Sequence, residues 1–330
     1  MQRTVCLEAF PQPAAKSLLT QGVSADWRCG KLKLARRLLA ALLALVLLAA
    51  GSGRVFPQFS ARALDAPEFL EAAYHGDRAN TGDRVKLDLS GLEKGYVGVS
   101  AVSDRRLKFQ VVKGEDTYNY DLSSDGEPSV FPLQCGDGSY RFRVMENVVD
   151  KKYSELYSKT CDIKLLDEFQ PFLRPSDYVD YDSTSACVKK AAEFAQAAKD
   201  KNEFIKSVYD FVCKSVKYDK KKAAEVKSGY LPIPDETMKT GKGICFDYAA
   251  LAASMLRSQG IPTKMIFGYV SPKDLYHAWN MFYTEETGWI TVKFEVSADE
   301  WNRLDLTFSA NGADAAFIGD GSNYADVYCY

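Results

Sequence analysis

Histidine is scarce in this sequence: the 330 residues include only His75 and His277. Two histidines do not supply a zinc site. The acidic cluster Asp177, Asp180 and Asp182 lacks the spacing of an EF-hand loop. No glycine-rich phosphate loop is present either. The sequence therefore predicts neither a metal ion nor an organic cofactor.

The sequence as a whole also lacks a large net charge, because it contains 42 Lys and Arg and 44 Asp and Glu. The charge is nevertheless distributed unevenly along the chain. Residues 1–63 carry nine basic and two acidic side chains, a balance of +7, which leaves 33 against 42, a balance of −9, for the rest. A body this acidic argues against nucleic acid or an anionic membrane surface as a partner.

The N-terminal basic part is typical of a leader. Residues 38–50 form an apolar run that is too short for a comfortable membrane span and suits the core of a signal peptide. The small-x-small sequence Ala61-Arg62-Ala63 offers a cleavage site, and Ala49-Ala50-Gly51 offers a second. A start near Leu32 would give a conventional leader, and an uncleaved membrane anchor is the alternative. Residues 1–63 are thus expected to direct the protein to a secreted or extracytoplasmic location. Four basic residues precede the run: Lys31, Lys33, Arg36 and Arg37.

Residues 64–168 read as a β-rich accessory domain. A short helix is expected at 66–75. After it, segments such as 107–111 and 140–144 alternate apolar and polar side chains, and glycine turns separate them. This pattern predicts a small β-sandwich. It would bind a substrate or the cell surface, or it would serve only as a structural appendage covering the catalytic sheet.

Residues 169–330 read as a second domain that mixes helices and strands. A proline-containing linker at 169–175 leads into two helices, predicted at 185–198 and 202–215. Residues 219–242 are expected to form a loop, with the lysines at 220–222 on a solvated face. That loop directly precedes the most informative segment of the chain, so it is a candidate for lining a cleft.

The informative segment places Cys245 at the start of an apolar helix. Gly243 and Ile244 precede it, and small or helix-forming residues follow until Gly260-Ile261-Pro262. The unpaired N–H groups of a first helical turn favour an anion, which for cysteine is the thiolate. Asp247 reads as an acid that supports the helix dipole, with no catalytic role.

A base and an orienting carboxylate follow along the chain. His277 lies in a strand-like run that continues to Tyr283, and Asp305 lies in another after Trp301. Cysteine, histidine and aspartate can act as nucleophile, base and orienter. Glu295 is the competing orienter.

Three segments resemble the signatures of the transglutaminase-like superfamily. They are Gly243-Ile244-Cys245 heading a helix, His277-Ala278-Trp279-Asn280 on a strand, and Asp305-Leu306-Thr307 after Trp301. The resemblance covers about residues 180–330. It implies an α+β, papain-like fold in which a helix bearing cysteine packs on an antiparallel sheet bearing histidine and aspartate. An inserted turn at 297–300 would explain why the pattern of tryptophan followed by aspartate does not begin at Trp289.

The resemblance also implies acyl transfer at amides, by crosslinking, deamidation or hydrolysis. The expected protein is an exported enzyme of bacterial type acting on peptide, protein or cell-wall amides. Tyr230 or Tyr218 would help the backbone N–H of Cys245 hold the oxyanion. A non-catalytic binding or scaffold module on the same fold is the alternative. The sequence carries no signal for the oligomeric state.

Export makes disulfides possible among the cysteines after the leader. The most local pairings are Cys135 with Cys161 and Cys187 with Cys213, which would leave Cys329 over. All of them reduced is the alternative.

Overall fold

The computed structural model describes residues 64, 66–227, 229–270, 275–291 and 324–330. These residues belong to one compact unit. The predicted leader, its cleavage sites and the apolar run lie outside them, as do Asp305, Glu295 and Trp301. Among the described residues, no helix has the length and apolar character needed to cross a bilayer.

Eight strands form the β-rich region, and they build two antiparallel four-stranded sheets. Their orders are β1-β2-β3-β6 and β5-β4-β7-β8. The alternating segments at 107–111 and 140–144 lie in β4 and β7, as predicted. The strands are β1 (Asn80–Thr81), β2 (Val85–Asp88), β3 (Tyr96–Ala101), β4 (Leu107–Lys113), β5 (Asp116–Leu122), β6 (Ser129–Pro132), β7 (Gly138–Val149) and β8 (Lys152–Ile163).

Aromatic side chains join the two sheets. Phe109 of β4 stacks on Phe131 of β6 with ring centroids 4.9 Å apart, and Tyr120 of β5 lies 4.5 Å from the same ring. All three are almost fully buried. Burial of such rings is the main source of stability for this packing.

The helix predicted at 66–75 is absent, because tertiary contacts hold this segment without regular structure. The backbone N–H of His75 donates to Asp88 at 2.7 Å, and the Arg174 guanidinium donates to the carbonyl of Glu71. Pro67 also sits near its start. These distant partners satisfy backbone groups that a helix would otherwise pair internally.

Among the described residues, five α-helices precede or carry the predicted nucleophile. The first two agree with the sequence prediction, whereas α3 and α4 lie where a loop was expected. Asp219 caps α3 by accepting the N–H of Lys222 at 2.9 Å, and Pro234 opens α4. The helices are α1 (Ala186–Ala197), α2 (Lys201–Ser215), α3 (Lys220–Glu225), α4 (Pro234–Thr240) and α5 (Cys245–Arg257).

A four-stranded antiparallel sheet packs against α5. Its strand order among the described residues is β13-β12-β11-β14, so β14 lies beside β11. On the sheet side the helix packs on β12 and β11, and on its other sides it packs on α1, α2 and α4. This arrangement confirms the α+β, papain-like fold class. The strands are β11 (Thr263–Val270), β12 (Leu275–Thr284), β13 (Gly288–Thr291) and β14 (Tyr324–Cys329), and a short parallel pair joins β9 (Lys217–Tyr218) to β10 (Lys242–Gly243).

The two regions share one hydrophobic core. Tyr120 of the β-rich region lies 5.6 Å from Tyr178 of the connecting segment, and Tyr118 lies 5.5 Å from Tyr330. The sheet of β5 therefore packs directly against the connecting segment and against the end of the chain, which pairs with β11 through Met265.

No disulfide joins the six cysteines of the described chain, so the pairings Cys135–Cys161 and Cys187–Cys213 are wrong. Cys187 is instead a fully buried residue in the first turn of α1. Its backbone N–H donates to Asp235 at 2.8 Å. A buried thiol of this kind packs as a small apolar side chain.

Candidate active site

Cys245 is the first residue of α5, as the sequence predicts, and its side chain is half-buried. The parallel pairing of β9 with β10 places Tyr218 opposite Gly243, two residues before the thiol. The helix behind the thiol is buried along its whole length from Asp247 to Arg257. The thiol thus sits on a rigid support, at the helix end where the dipole favours an anion.

Asp247, in the same first turn, is fully buried. Its carboxylate accepts the backbone N–H of Ile244 at 2.7 Å, which caps the helix. Gly243 is required beside it, since a Cβ there would lie 2.6 Å from the Cβ of Asp247. The predicted supporting role of this acid agrees with these contacts.

Two side chains from the segment before α5 complete the surroundings of Asp247. Lys222 lies 2.8 Å from one carboxylate oxygen, and the Tyr230 hydroxyl donates to the other. Lys222 also donates to the Tyr230 hydroxyl at 2.6 Å and lies 4.4 Å from the centre of its ring. The prediction of a solvated lysine face is therefore wrong for Lys222, although Lys220 and Lys221 are exposed.

The hydroxyl proton of Tyr230 is already used in the hydrogen bond to Asp247. Burial and then the hydrogen bond to Asp247 raise the pKa of Tyr230 well above its ordinary value. Burial and then the neighbouring thiol of Cys245 raise the pKa of Tyr218. Tyr218 and Tyr276 both interact electrostatically with Cys245. The Tyr218 hydroxyl has no hydrogen-bond partner in the described part of the chain.

His277 lies on β12 with 3% of its surface exposed, opposite Gly268 of β11. Three residues later, the Asn280 side chain donates to the backbone carbonyl of Ala249 in α5 at 3.1 Å. This bond fixes the histidine strand against the cysteine helix. The fold therefore brings Cys245 and His277 to the wall of one cavity.

The cavity has a volume of about 660 Å³. Its lining includes six residues around the thiol. They are Cys245 and Phe246 of α5, Tyr276 and His277 of β12, and Tyr218 and Tyr230 of the segment between α2 and α5. Burial, followed by Tyr328, raises the pKa of Tyr276 to about 12. The wall near the thiol is rich in aromatic side chains, and the raised pKa values keep its tyrosine hydroxyls neutral at neutral pH.

The β-rich region supplies another wall, which the sequence interpretation missed. Lys108 of β4 and the exposed Asn119 and Asp121 of β5 line the cavity, as does Asp177 of the connecting segment. Burial raises the pKa of Asp177 to about 6. The exposed polar positions of β5 alternate with buried tyrosines, but that alternation does not indicate which surface they face.

Metal ligands do not gather in the described residues, where no group of three or more His, Cys, Asp or Glu could hold an ion. The predicted orienter Asp305 and its competitor Glu295 lie outside the described residues.

Part of this sequence is similar to known proteins. Residues 188–294 match the Transglutaminase-like superfamily. The UPF0252 protein MJ1282 of Methanocaldococcus jannaschii is 33% identical over 82 residues, 23% of this chain and 23% of that protein. The protein-glutamine gamma-glutamyltransferase of Pseudomonas aeruginosa is 28% identical over 109 residues, 29% of this chain and 15% of that protein. The chain therefore matches less than a quarter of the length of either curated relative.

Among solved structures, the periplasmic domain of TgpA from Pseudomonas aeruginosa is similar to this chain, with 12% identity and a TM-score of 0.32. The similarity covers 72% of this chain and 76% of that chain.

Proposed function

Because residues 188–294 form a transglutaminase-like domain, we propose that this protein is a cysteine-dependent enzyme that acts on peptide or protein amides through a thioester. The main support for this proposal is that Cys245, at the N-terminus of a buried helix, and His277 line the same cavity. A nucleophilic thiol and a base on one cavity wall are the minimum for this chemistry.

The reaction would begin with attack of the Cys245 sulfur on an amide carbonyl carbon, while His277 holds the thiol proton. The backbone N–H of Cys245 and the Tyr218 hydroxyl would stabilise the oxyanion. Tyr218 is preferred to Tyr230 because the latter donates its proton to Asp247. The carbon–nitrogen bond then breaks, and His277 gives the proton to the leaving amine.

The thioester would next be attacked by water or by a primary amine, with His277 accepting the proton of the attacking group. The carbon–sulfur bond then breaks, which releases the acid or the new amide and returns Cys245 as the thiolate. Asp305 is the proposed orienter of the imidazole. The name of the Pseudomonas relative supports glutamine side-chain amides as the first acyl donors to test. Residues 64–168 are proposed as an accessory domain, and residues 1–63 as a leader to an extracytoplasmic location.

Thiol alkylation tests the proposal directly. The full chain is treated with iodoacetamide from pH 5 to pH 9, and the peptide bearing Cys245 is quantified by mass spectrometry. Rapid alkylation at pH 6 that is lost in His277→Ala is expected, since a thiolate–imidazolium pair keeps the thiolate at acid pH. His75→Ala is the matched control, because it removes the other histidine of the chain.

Alkylation of Cys245 as slow as that of the half-buried Cys213, with no effect of His277→Ala, would contradict the enzyme proposal and leave a binding module. If the thiol is reactive, incorporation of a labelled primary amine into a glutamine-containing protein then separates a transferase from a hydrolase.

A further inference from the structure

The network of Lys222, Tyr230 and Asp247 is the unusual electrostatic feature beside the thiol. Asp247 follows Cys245 by two residues, and none of its surface is exposed. Its carboxylate accepts the N–H of Ile244, the residue directly before the thiol, at 2.7 Å. A buried carboxylate held at the helix end that carries the thiol opposes formation of the thiolate, because like charges repel strongly in a medium of low dielectric constant. A nucleophilic cysteine therefore needs that charge to be compensated.

Lys222 is placed to compensate it. Its ammonium lies 2.8 Å from Asp247, and 30% of its side chain is exposed. The short helix α3 presents the lysine, and two contacts fix that helix. Asp219 caps it, and the backbone N–H of Asp219 donates to the carbonyl of Gly243 at 2.9 Å. The lysine is thus tied to the segment that leads into Cys245.

Tyr230 joins the pair to the cavity. Its hydroxyl accepts from Lys222 and donates to Asp247, while its ring lines the cavity and lies 6.1 Å from the ring of Phe246. A change in the ion pair would therefore alter the electrostatic environment both of the helix terminus and of the cavity wall.

We propose that Lys222 is a positioning residue that sets the reactivity of Cys245 by neutralising the buried charge of Asp247. The proposal rests on the proposed function, because it assigns a regulator to the same nucleophile. The proposed effect comes from the positive charge of Lys222, and it is separate from any contribution of the Lys222–Asp247 ion pair to folding.

Other charged groups also face the cavity, and the test leaves all of them unchanged. They are His277 on β12, Lys108 on β4, Asp121 on β5, Asp177 in the connecting segment and Lys227 after α3.

The test measures the alkylation rate of Cys245 against pH in full-length variants. Lys222→Met is expected to move the midpoint of the profile upward by about one pH unit, and to slow alkylation below the midpoint about tenfold. Lys222→Arg, which keeps the charge, should stay within about twofold of the wild type. Lys221→Met is the matched control, since Lys221 is the exposed neighbour on the same helix.

The double variant Lys222→Met with Asp247→Asn separates charge from structure. The asparagine removes the charge, while its oxygen can accept the N–H of Ile244 and its NH2 group can donate to the Tyr230 hydroxyl, which Lys222 no longer occupies as a donor. The midpoint should therefore return to within about 0.3 pH unit of the wild type. If Lys222→Met does not fold, Lys222→Gln gives the same comparison.

An unchanged midpoint in Lys222→Met, or a shift that the double variant does not reverse, would overturn the proposal. The absolute rate of the wild type and its dependence on His277 report on the proposed function. The shift between variants reports on Lys222 even if Cys245 reacts as an ordinary thiol, so the two failures can be distinguished.

Discussion

The β-rich region and the transglutaminase-like domain differ in the exposure of their ion pairs, although each region has a fully buried carboxylate, Asp88 in the first and Asp247 in the second. In the β-rich region, ion pairs lie on the outer face of a sheet. Glu155, for example, accepts from Arg141 and Arg143 with 30% of its side chain exposed. In the other region, Asp247 and Arg257 lie inside the core, at 0% and 2% exposed.

The difference indicates which interactions stabilise each region. Exposed pairs contribute little to folding, so the β-rich sheets depend on buried aromatic rings for stability. Buried charges are costly unless every donor and acceptor is satisfied. Their presence around α5 indicates that this helix is held by specific polar contacts and not by apolar packing alone.

The largest expected effect comes from breaking a buried contact set of this kind. Arg257, at the end of α5, donates to the carbonyls of Thr263, Arg174 and Tyr330 at 2.9, 2.8 and 3.1 Å. Burial lowers its pKa to about 10, so it stays charged at neutral pH. Arg257→Met should lower the free energy of unfolding by about 3–5 kcal/mol, because three buried carbonyls lose a donor.

Urea denaturation followed by circular dichroism measures this loss. Arg78→Met, at an exposed arginine in a short 3₁₀ turn, is the control and should change stability by no more than about 0.5 kcal/mol. Similar midpoints for the two variants would mean that the buried guanidinium contributes nothing specific.

Arg257 also illustrates how far the sequence can be interpreted. Its position at the end of an apolar helix was predictable, as was the strand bearing His277, because both elements follow from local periodicity. Its acceptors were not, since Arg174 and Tyr330 are 83 and 73 residues away.

The helices α3 and α4 escaped prediction for a different reason. They are six and seven residues long, too short to show a clear periodicity, and their caps stabilise them. Lys222 consequently looked like part of an exposed lysine run. The cavity wall formed by β4 and β5 was equally hidden, because it depends on how one region packs against the other.

A smaller effect is expected at the boundary between the two kinds of charge. Asp177 lines the cavity between the regions, and burial, opposed by hydrogen bonds from Ser129 and Val130, raises its pKa from 3.8 to about 6. The folded state therefore binds this proton more tightly than the unfolded chain does. The wild type should gain stability as the pH falls from about 7 towards 4, by about 1 kcal/mol, because the carboxyl keeps some contact with solvent.

Asp177→Asn isolates that contribution, since asparagine cannot ionise. The variant should be more stable than the wild type near pH 7, and the difference should vanish near pH 4. Urea midpoints at four pH values measure it, with Asp162→Asn at an exposed site of β8 as the control. A constant difference across the range would show that Asp177 does not titrate there.

The smallest effect should come from the exposed pairs of the β-rich region. The hydrogen bond from Ser158, and then Arg143, lower the pKa of Glu155 below 4.5. Its contribution is present above about pH 4.5 and is lost as the pH falls through the lowered pKa. Glu155→Gln should therefore cost no more than about 1 kcal/mol at pH 7, less in 1 M salt, and nothing near pH 3. A loss at pH 7 as large as that of Arg257→Met would remove the contrast between the regions, because it would mean that a half-exposed carboxylate contributes as much to folding as a buried guanidinium.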